Sequence, residues 1–156
     1  RWLVDPSAVG DLTNIPHRLI EDLYVGASRL RLRMITDGSR NVVFKLGKKY
    51  GKQSALSEPI TSLYLSEDEY RQLAGLPGYA VSKRRYTIAG GSLDVYQTPN
   101  ASSMIFDHAG CMIFELEFDD EAAAGRFRPP PFVTREITGD PAFSGFALAS
   151  GEAGVT

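Results

Sequence analysis

"SRLRLRM", residues 28–34, decides the fold class. Arg29, Arg31 and Arg33 alternate with Leu30, Leu32 and Met34. Successive side chains of a β-strand leave on opposite faces, so a strand here carries a basic face and an apolar face. A helix would scatter both sets around its axis. The alternation therefore predicts a strand and raises the question of what three guanidinium groups do on one side of a sheet.

The same alternation recurs with both signs of charge. In "CMIFELEF" (111–118) Glu115 and Glu117 share parity, against Met112, Phe114, Leu116 and Phe118. In "VSKRRYT" (81–87) Lys83 and Arg85 share parity, and Lys45 sits opposite Phe44 and Leu46 in "VVFKLG". Two arrangements satisfy this pattern. One is a one-sided sheet with charge in water and apolar residues on a core. The other is a sheet turned inside out, with its charged face lining a passage and its apolar face lying outward under helices. In the second, guanidinium groups meet phosphate oxygens in bidentate fashion and carboxylates hold divalent cations that bridge phosphates.

Composition narrows the partners. The chain has 156 residues, about one domain, and is 43% hydrophobic, enough for a real core. It has no apolar run near the ~18 residues of a membrane span and no secretory signal pattern. The formal net charge is −2, unlike a general nucleic-acid binder. Basic residues cluster at 29–33, 45–52 and 83–85, which hold most of the seventeen lysines and arginines. Local basic surface in an acidic chain suggests a small anionic ligand. Cys111 is the single cysteine, so no internal disulfide forms and a cytoplasmic setting is expected.

Turn chemistry places the remaining elements. Strands are expected at 1–4, 18–25, 28–36, 41–47, 56–65, 80–88, 92–97, 102–107, 110–118 and 133–138. "TDGSRN" (36–41) closes a hairpin, and Pro59 implies an edge or a bulge. Ser66 with Glu69 is a capping box opening a helix to about Leu73. Asp119 or Asp120 caps another through about Phe127, which "PPP" (129–131) ends. Many short strands with few helices predict a mainly β, antiparallel sheet or barrel.

The motifs in this order resemble the CYTH domains, or triphosphate tunnel metalloenzymes, over nearly the whole chain. "RWLV" is similar to the end of that family's opening E-x-E-x-K/R strand, "RLRLR" to its R-x-R strand and "VVFKLG" to its strand with a central lysine. "KRRY" resembles its K-x-R segment, "SLDVY" the next strand with an aspartate, and "FELEF" its E-x-E strand. "PPPFVTREITGD" resembles its C-terminal stretch. The resemblance implies an eight-stranded antiparallel β-barrel forming a hydrophilic tunnel, as a single domain over 1–150 with a flexible tail at 151–156. The opening motif's glutamates would precede Arg1, so a truncated N-terminal strand is expected.

By position, the resemblance assigns phosphate binding to Arg31, Arg33, Lys45, Lys83, Arg85 and Arg1. Glu115, Glu117 and Glu136 would bind metal, Mg²⁺ or Mn²⁺. Glu115, Glu117 and Lys83 would carry catalysis. The implied activity is metal-dependent hydrolysis of a triphosphate, with inorganic triphosphate favoured because no base-reading set is visible. An adenylyl cyclase of the same fold and a non-catalytic polyphosphate or nucleotide module are the alternatives. The second draws on Ile60 and Ser62, which stand where the family often has acids. The partner is a small triphosphate or nucleotide, neither nucleic acid nor membrane is expected, and a homodimer stays open. His17, His108 and Cys111 read as structural, Tyr86, Tyr96 and Phe127 as packing residues, and Lys48, Lys49 and Lys52 as a solvated loop.

Overall fold

In the computed structural model, residues 1–53, 58–97 and 111–151 are described. Nine strands form one antiparallel sheet: β1 (Trp2–Val4), β2 (His17–Val25), β3 (Leu30–Thr36), β4 (Val42–Lys49), β5 (Ile60–Leu65), β6 (Gly78–Ile88), β7 (Gly91–Gln97), β8 (Met112–Glu115) and β9 (Val133–Glu136). Their order is β5-β4-β3-β2-β6-β7-β8-β1-β9. The long strands β2, β3, β4, β6 and β7 follow the sequence alternation. Helices α1 (Pro6–Val9), α2 (Glu67–Leu73), α3 (Glu121–Arg126) and α4 (Gly145–Ser150) lie between or after them, with a 3₁₀ turn at Pro141–Phe143.

Local chemistry explains the ends. The α2 capping box forms as read: Glu69 N–H donates to Ser66 Oγ and Ser66 N–H donates to Glu69 Oε2. Asp120 caps α3 by accepting from Ala123 N–H. α1, capped by Asp5 with Pro6 in its first turn, and α4, capped by Ser144, were not anticipated. β5 starts at Ile60 rather than 56: Pro59 lacks a donor, and its carbonyl accepts from Tyr50 N–H instead. β8 stops at Glu115 rather than 118, because its neighbour β7 begins at Gly91 and Ser92↔Glu115 is the last pair. The strand expected at 102–107, His108 and the tail after 151 fall outside the described residues.

The expected eight-stranded closed barrel needs correction. Among the described residues the sheet has nine strands, and β5 and β9 each pair on one side only. Closure requires the terminal strands to pair in a staggered register. Here β9 spans four residues and its partner β1 three, and both end strands keep an unpaired edge.

Two apolar clusters lie on opposite faces of this sheet. Residues opposite each other on a ladder share a face, so Tyr86, Leu93, Phe114 and Trp2 share one, as successive partners. That face packs against Val9 of α1, Phe127 at the C-terminal cap of α3 and Phe132 in the segment before β9. Trp2 lies 5.9 Å from Phe114 and 5.4 Å from Phe127, centroid to centroid. The other face carries Tyr24, Val81, Tyr96, Ile113 and Ile137, covered by Ala147 and Leu148 of α4. The ionic residues share this second face.

Candidate functional site: an ionic face across the sheet

Strand register builds the site in lanes. Val81–Asp22–Arg33–Lys45–Tyr64 forms one lane across β6, β2, β3, β4 and β5. Beside it runs Tyr79–Tyr24–Arg31–Gly47–Ser62. Lys83 pairs with Tyr96, Arg85 with Asp94, and Ser92 with Glu115. Arg31, Arg33, Lys45, Lys83, Arg85 and Glu115 therefore share one face, as their parity predicts.

Two buried carboxylates organise the cations. Asp94, 1% exposed, accepts from Lys83 Nζ at 2.6 Å and from Arg85 Nε and Nη2 at 2.6 and 2.7 Å. Asp22 accepts from Arg33 Nε and Nη2 at 2.6 and 2.7 Å. These bidentate pairs match the planar guanidinium fork. Glu115 joins the first group, 3.3 Å from Arg85 Nη2 and 2.5 Å from Arg1 Nε. The Arg1 contact is an ion pair without hydrogen-bond alignment, since Arg1 Nε has no hydrogen-bond partner.

The electrostatics follow from burial. Burial works to raise the Asp94 pKa, but the bonds from Arg85 and the charges of Lys83 and Arg85 outweigh it and hold it below the ordinary carboxylate value. Burial lowers the Lys83 pKa, and the like charge of Arg85 adds to this against the opposing pull of Asp94. Arg85 and Arg33 are raised despite burial, by Asp94 and Asp22 respectively, and stay charged. Burial pushes the Tyr96 hydroxyl well above its usual value. It lies 3.5 Å from Lys83 Nζ.

Arg31 and Lys45 differ from their neighbours. Neither has a carboxylate within ion-pair distance among the described residues. Arg31 Nε is buried without a hydrogen-bond partner. Gly47 opposite it has no side chain; a Cβ there would meet Arg31 Nη2 at 3.7 Å, an ordinary van der Waals contact. Lys45 Nζ lies 4.8 Å above the Tyr64 ring. Arg1, Arg31, Arg33, Lys45, Lys83 and Arg85 thus outnumber Asp22, Asp94 and Glu115 on one face. That surplus suits an anion.

The expected metal ligands are not brought together. Glu115 is engaged by Arg1 and Arg85. Glu117 lies past the end of β8 and is exposed. Glu136 pairs with Trp2 and so leaves the sheet on the face opposite Glu115. No group of three His, Cys, Asp or Glu placed to hold a metal occurs among the described residues. Mg²⁺ or Mn²⁺ therefore stays what the resemblance implies, with Glu115 the expected ligand that a strand places on the ionic face. Ile60 and Ser62 lie on the ionic face, opposite Lys49 and Gly47, while Glu58 binds Lys49 at 3.2 Å.

Sequence reasoning named the cations and Glu115 but not Asp22. The signal was available: Asp22 has the parity of Ile20 and Tyr24, one face of "LIEDLYV". Its neighbour Glu21 hid it, because two adjacent acids satisfy either register. Asp94 was seen as a motif residue without a role.

An antiparallel sheet with a cation-rich ionic face is the class this arrangement defines. No family model and no curated protein matches the chain. Among solved structures it is similar to two crystal structures of NE1496, one described as a hypothetical protein and the other as an inorganic triphosphatase. Identity is 24% over 95% of this chain and 93% of that one, with TM-scores of 0.55 and 0.54. The likeness establishes a shared fold, and a triphosphatase with this fold is what the sequence motifs anticipate. No helix among the described residues is long and apolar enough to cross a membrane.

Proposed function

We propose that this chain binds a triphosphate on its ionic face and hydrolyses it, with inorganic triphosphate as the favoured substrate. The observation that carries this is Arg31: a half-buried side chain with a buried, unpartnered Nε and no carboxylate partner among the described residues, one same-face pair along the ladder from Lys45 on a cation-rich face. The shared fold with a triphosphatase supports the reaction class. Arg31, Lys45, Lys83, Arg85 and Arg1 would take up phosphate oxygens. Their fixed charges would stabilise the negative charge that develops as the phosphoryl group transfers. Asp94 would hold Lys83 and Arg85 in place before substrate arrives, so little reorganisation accompanies the reaction. Glu115, ion-paired with Arg1 and Arg85, would mark the far end of the site. Mg²⁺ or Mn²⁺ is what the resemblance implies, and Glu115 is the expected ligand that β8 places on the ionic face.

A second reading, a triphosphate-binding module without turnover, draws on Ile60 and Ser62 standing where acids were expected. One assay separates the two. Inorganic triphosphate and ATP are supplied with Mg²⁺, with Mn²⁺ or with EDTA, and phosphate, pyrophosphate and cyclic AMP are measured beside calorimetric binding. Phosphate from inorganic triphosphate, reduced about ten- to a hundredfold in kcat/KM by Arg31→Gln, is the expected result. Binding without product selects the module. Cyclic AMP from ATP selects a cyclase, and no binding at all removes every one of these readings.

A further inference from the structure

The geometry points to Asp22 as a built-in anion that neutralises Arg33 and sets which polyanions the ionic face accepts. This rests on the triphosphate reading. Arg31 and Arg33 lie two residues apart on β3 with the same parity, yet their surroundings differ. Arg33 has its Nε and Nη2 both donated to Asp22, with side chains 12% and 2% exposed. That edge of the fork is the one a phosphate would use. Arg31 offers a buried Nε with no partner. One guanidinium is therefore held by a carboxylate from within the chain, whereas the other, beside the Tyr24 hydroxyl, is not.

The position of Asp22 gives this a consequence. β2 lies between β3, which carries Arg31, and β6, which carries Lys83. Adjacent strands are about 4.8 Å apart, so an anion reaching from Arg31 to Lys83 must pass over β2 within a few ångströms of the Asp22 carboxylate. Paired with Arg33, the Asp22 carboxylate cancels the attraction that this arginine would otherwise offer, so the ligand gains little over β2 and must engage cations on both sides. Short anions that reach one side only gain least. Specificity is a difference of affinities, so a withheld attraction shapes it as much as an offered one. Asp22 is thus a specificity-determining residue, and Arg33 serves to hold it.

Asp22→Asn, close in shape and without charge, tests this. Calorimetric titration with sodium triphosphate and with sodium pyrophosphate is run on the wild-type chain and the variant, with circular dichroism confirming the fold. The expected result is about tenfold tighter triphosphate binding in the variant, since the charge of Arg33 is no longer cancelled. Pyrophosphate should gain more, so the preference for triphosphate narrows. A merely structural role would not tighten binding. Should the variant bind triphosphate equally or more weakly while the wild type binds it, the inference falls and the triphosphate reading stands. Should neither bind, both fall. A measurement on the wild type alone covers a variant that does not fold: ¹⁵N spectra of arginine Nε groups during triphosphate titration. The Arg31 Nε resonance should move and that of Arg33 should not; movement of Arg33 as large as that of Arg31 overturns the inference.

Discussion

Asp94 shows how one residue couples stability to site geometry. Its two oxygens receive three donors from Lys83 and Arg85 in a nearly solvent-free position. Removing its charge leaves buried Lys83 without its carboxylate and Arg85 with Glu115 alone, which costs about 3–5 kcal/mol in comparable networks. Asp94→Asn should therefore lower the midpoint of thermal unfolding at neutral pH. The sign of the pH effect follows from the depressed pKa of Asp94. A carboxylate whose folded pKa lies below its unfolded value contributes stability above the unfolded value and loses it as pH falls through the folded one. The window thus lies below about pH 4. The gap in midpoint between wild type and Asp94→Asn should narrow there. A gap that stays constant from pH 7 to acid would show that Asp94 is not the ionised partner described.

Among the elements, α4 sets one edge of the ionic face. Ala147 and Leu148 pack against Tyr24, Val81, Tyr96 and Ile113, so this helix borders the ionic face beside Lys83 and Asp22. Its approach depends on Gly145: a Cβ there would run into the Tyr24 hydroxyl and ring. Gly145→Ala should push α4 off the sheet, a steric penalty of about 1–3 kcal/mol. Hydrogen exchange should then quicken in 145–150 before it does in β2. Unchanged protection of α4 would mean that the contact relaxes without moving the helix. α4 is also the element least legible in the sequence. "SGFALAS" is short and lacks a wide apolar stripe, and its capping serine has no glutamate three residues on. The long strands were legible because period-two alternation persists over seven or more residues, as in β3 and β6. Glu136 was not, since its face is fixed by pairing with Trp2 across 134 residues of chain. Parity is local, whereas register between distant strands depends on packing. For the same reason the carboxylates of "FELEF" could be assigned a common face but not a common strand: the partner, β7, runs out first.

At the scale of the whole molecule, both faces of one sheet carry a core. The chain's single tryptophan, Trp2, lies in the aromatic cluster opposite the ionic face. Leu148 lies in the cluster under α4. β7 and β8 serve both: Leu93 and Phe114 point to one cluster, Tyr96 and Ile113 to the other. Loss of packing on either side should therefore loosen the strands that the other side needs, and the described residues should unfold as one cooperative unit. Leu148→Ala removes a nearly buried side chain, a loss of about 2–5 kcal/mol. At this length each kcal/mol moves the midpoint by roughly 2–4 °C. The shift should appear equally in Trp2 fluorescence and in far-ultraviolet circular dichroism, although Leu148 belongs to a different cluster from Trp2. A fluorescence midpoint that stays fixed while the dichroism midpoint falls would divide the sheet into two independent halves. The ionic face would then have to keep its geometry without the aromatic cluster behind it.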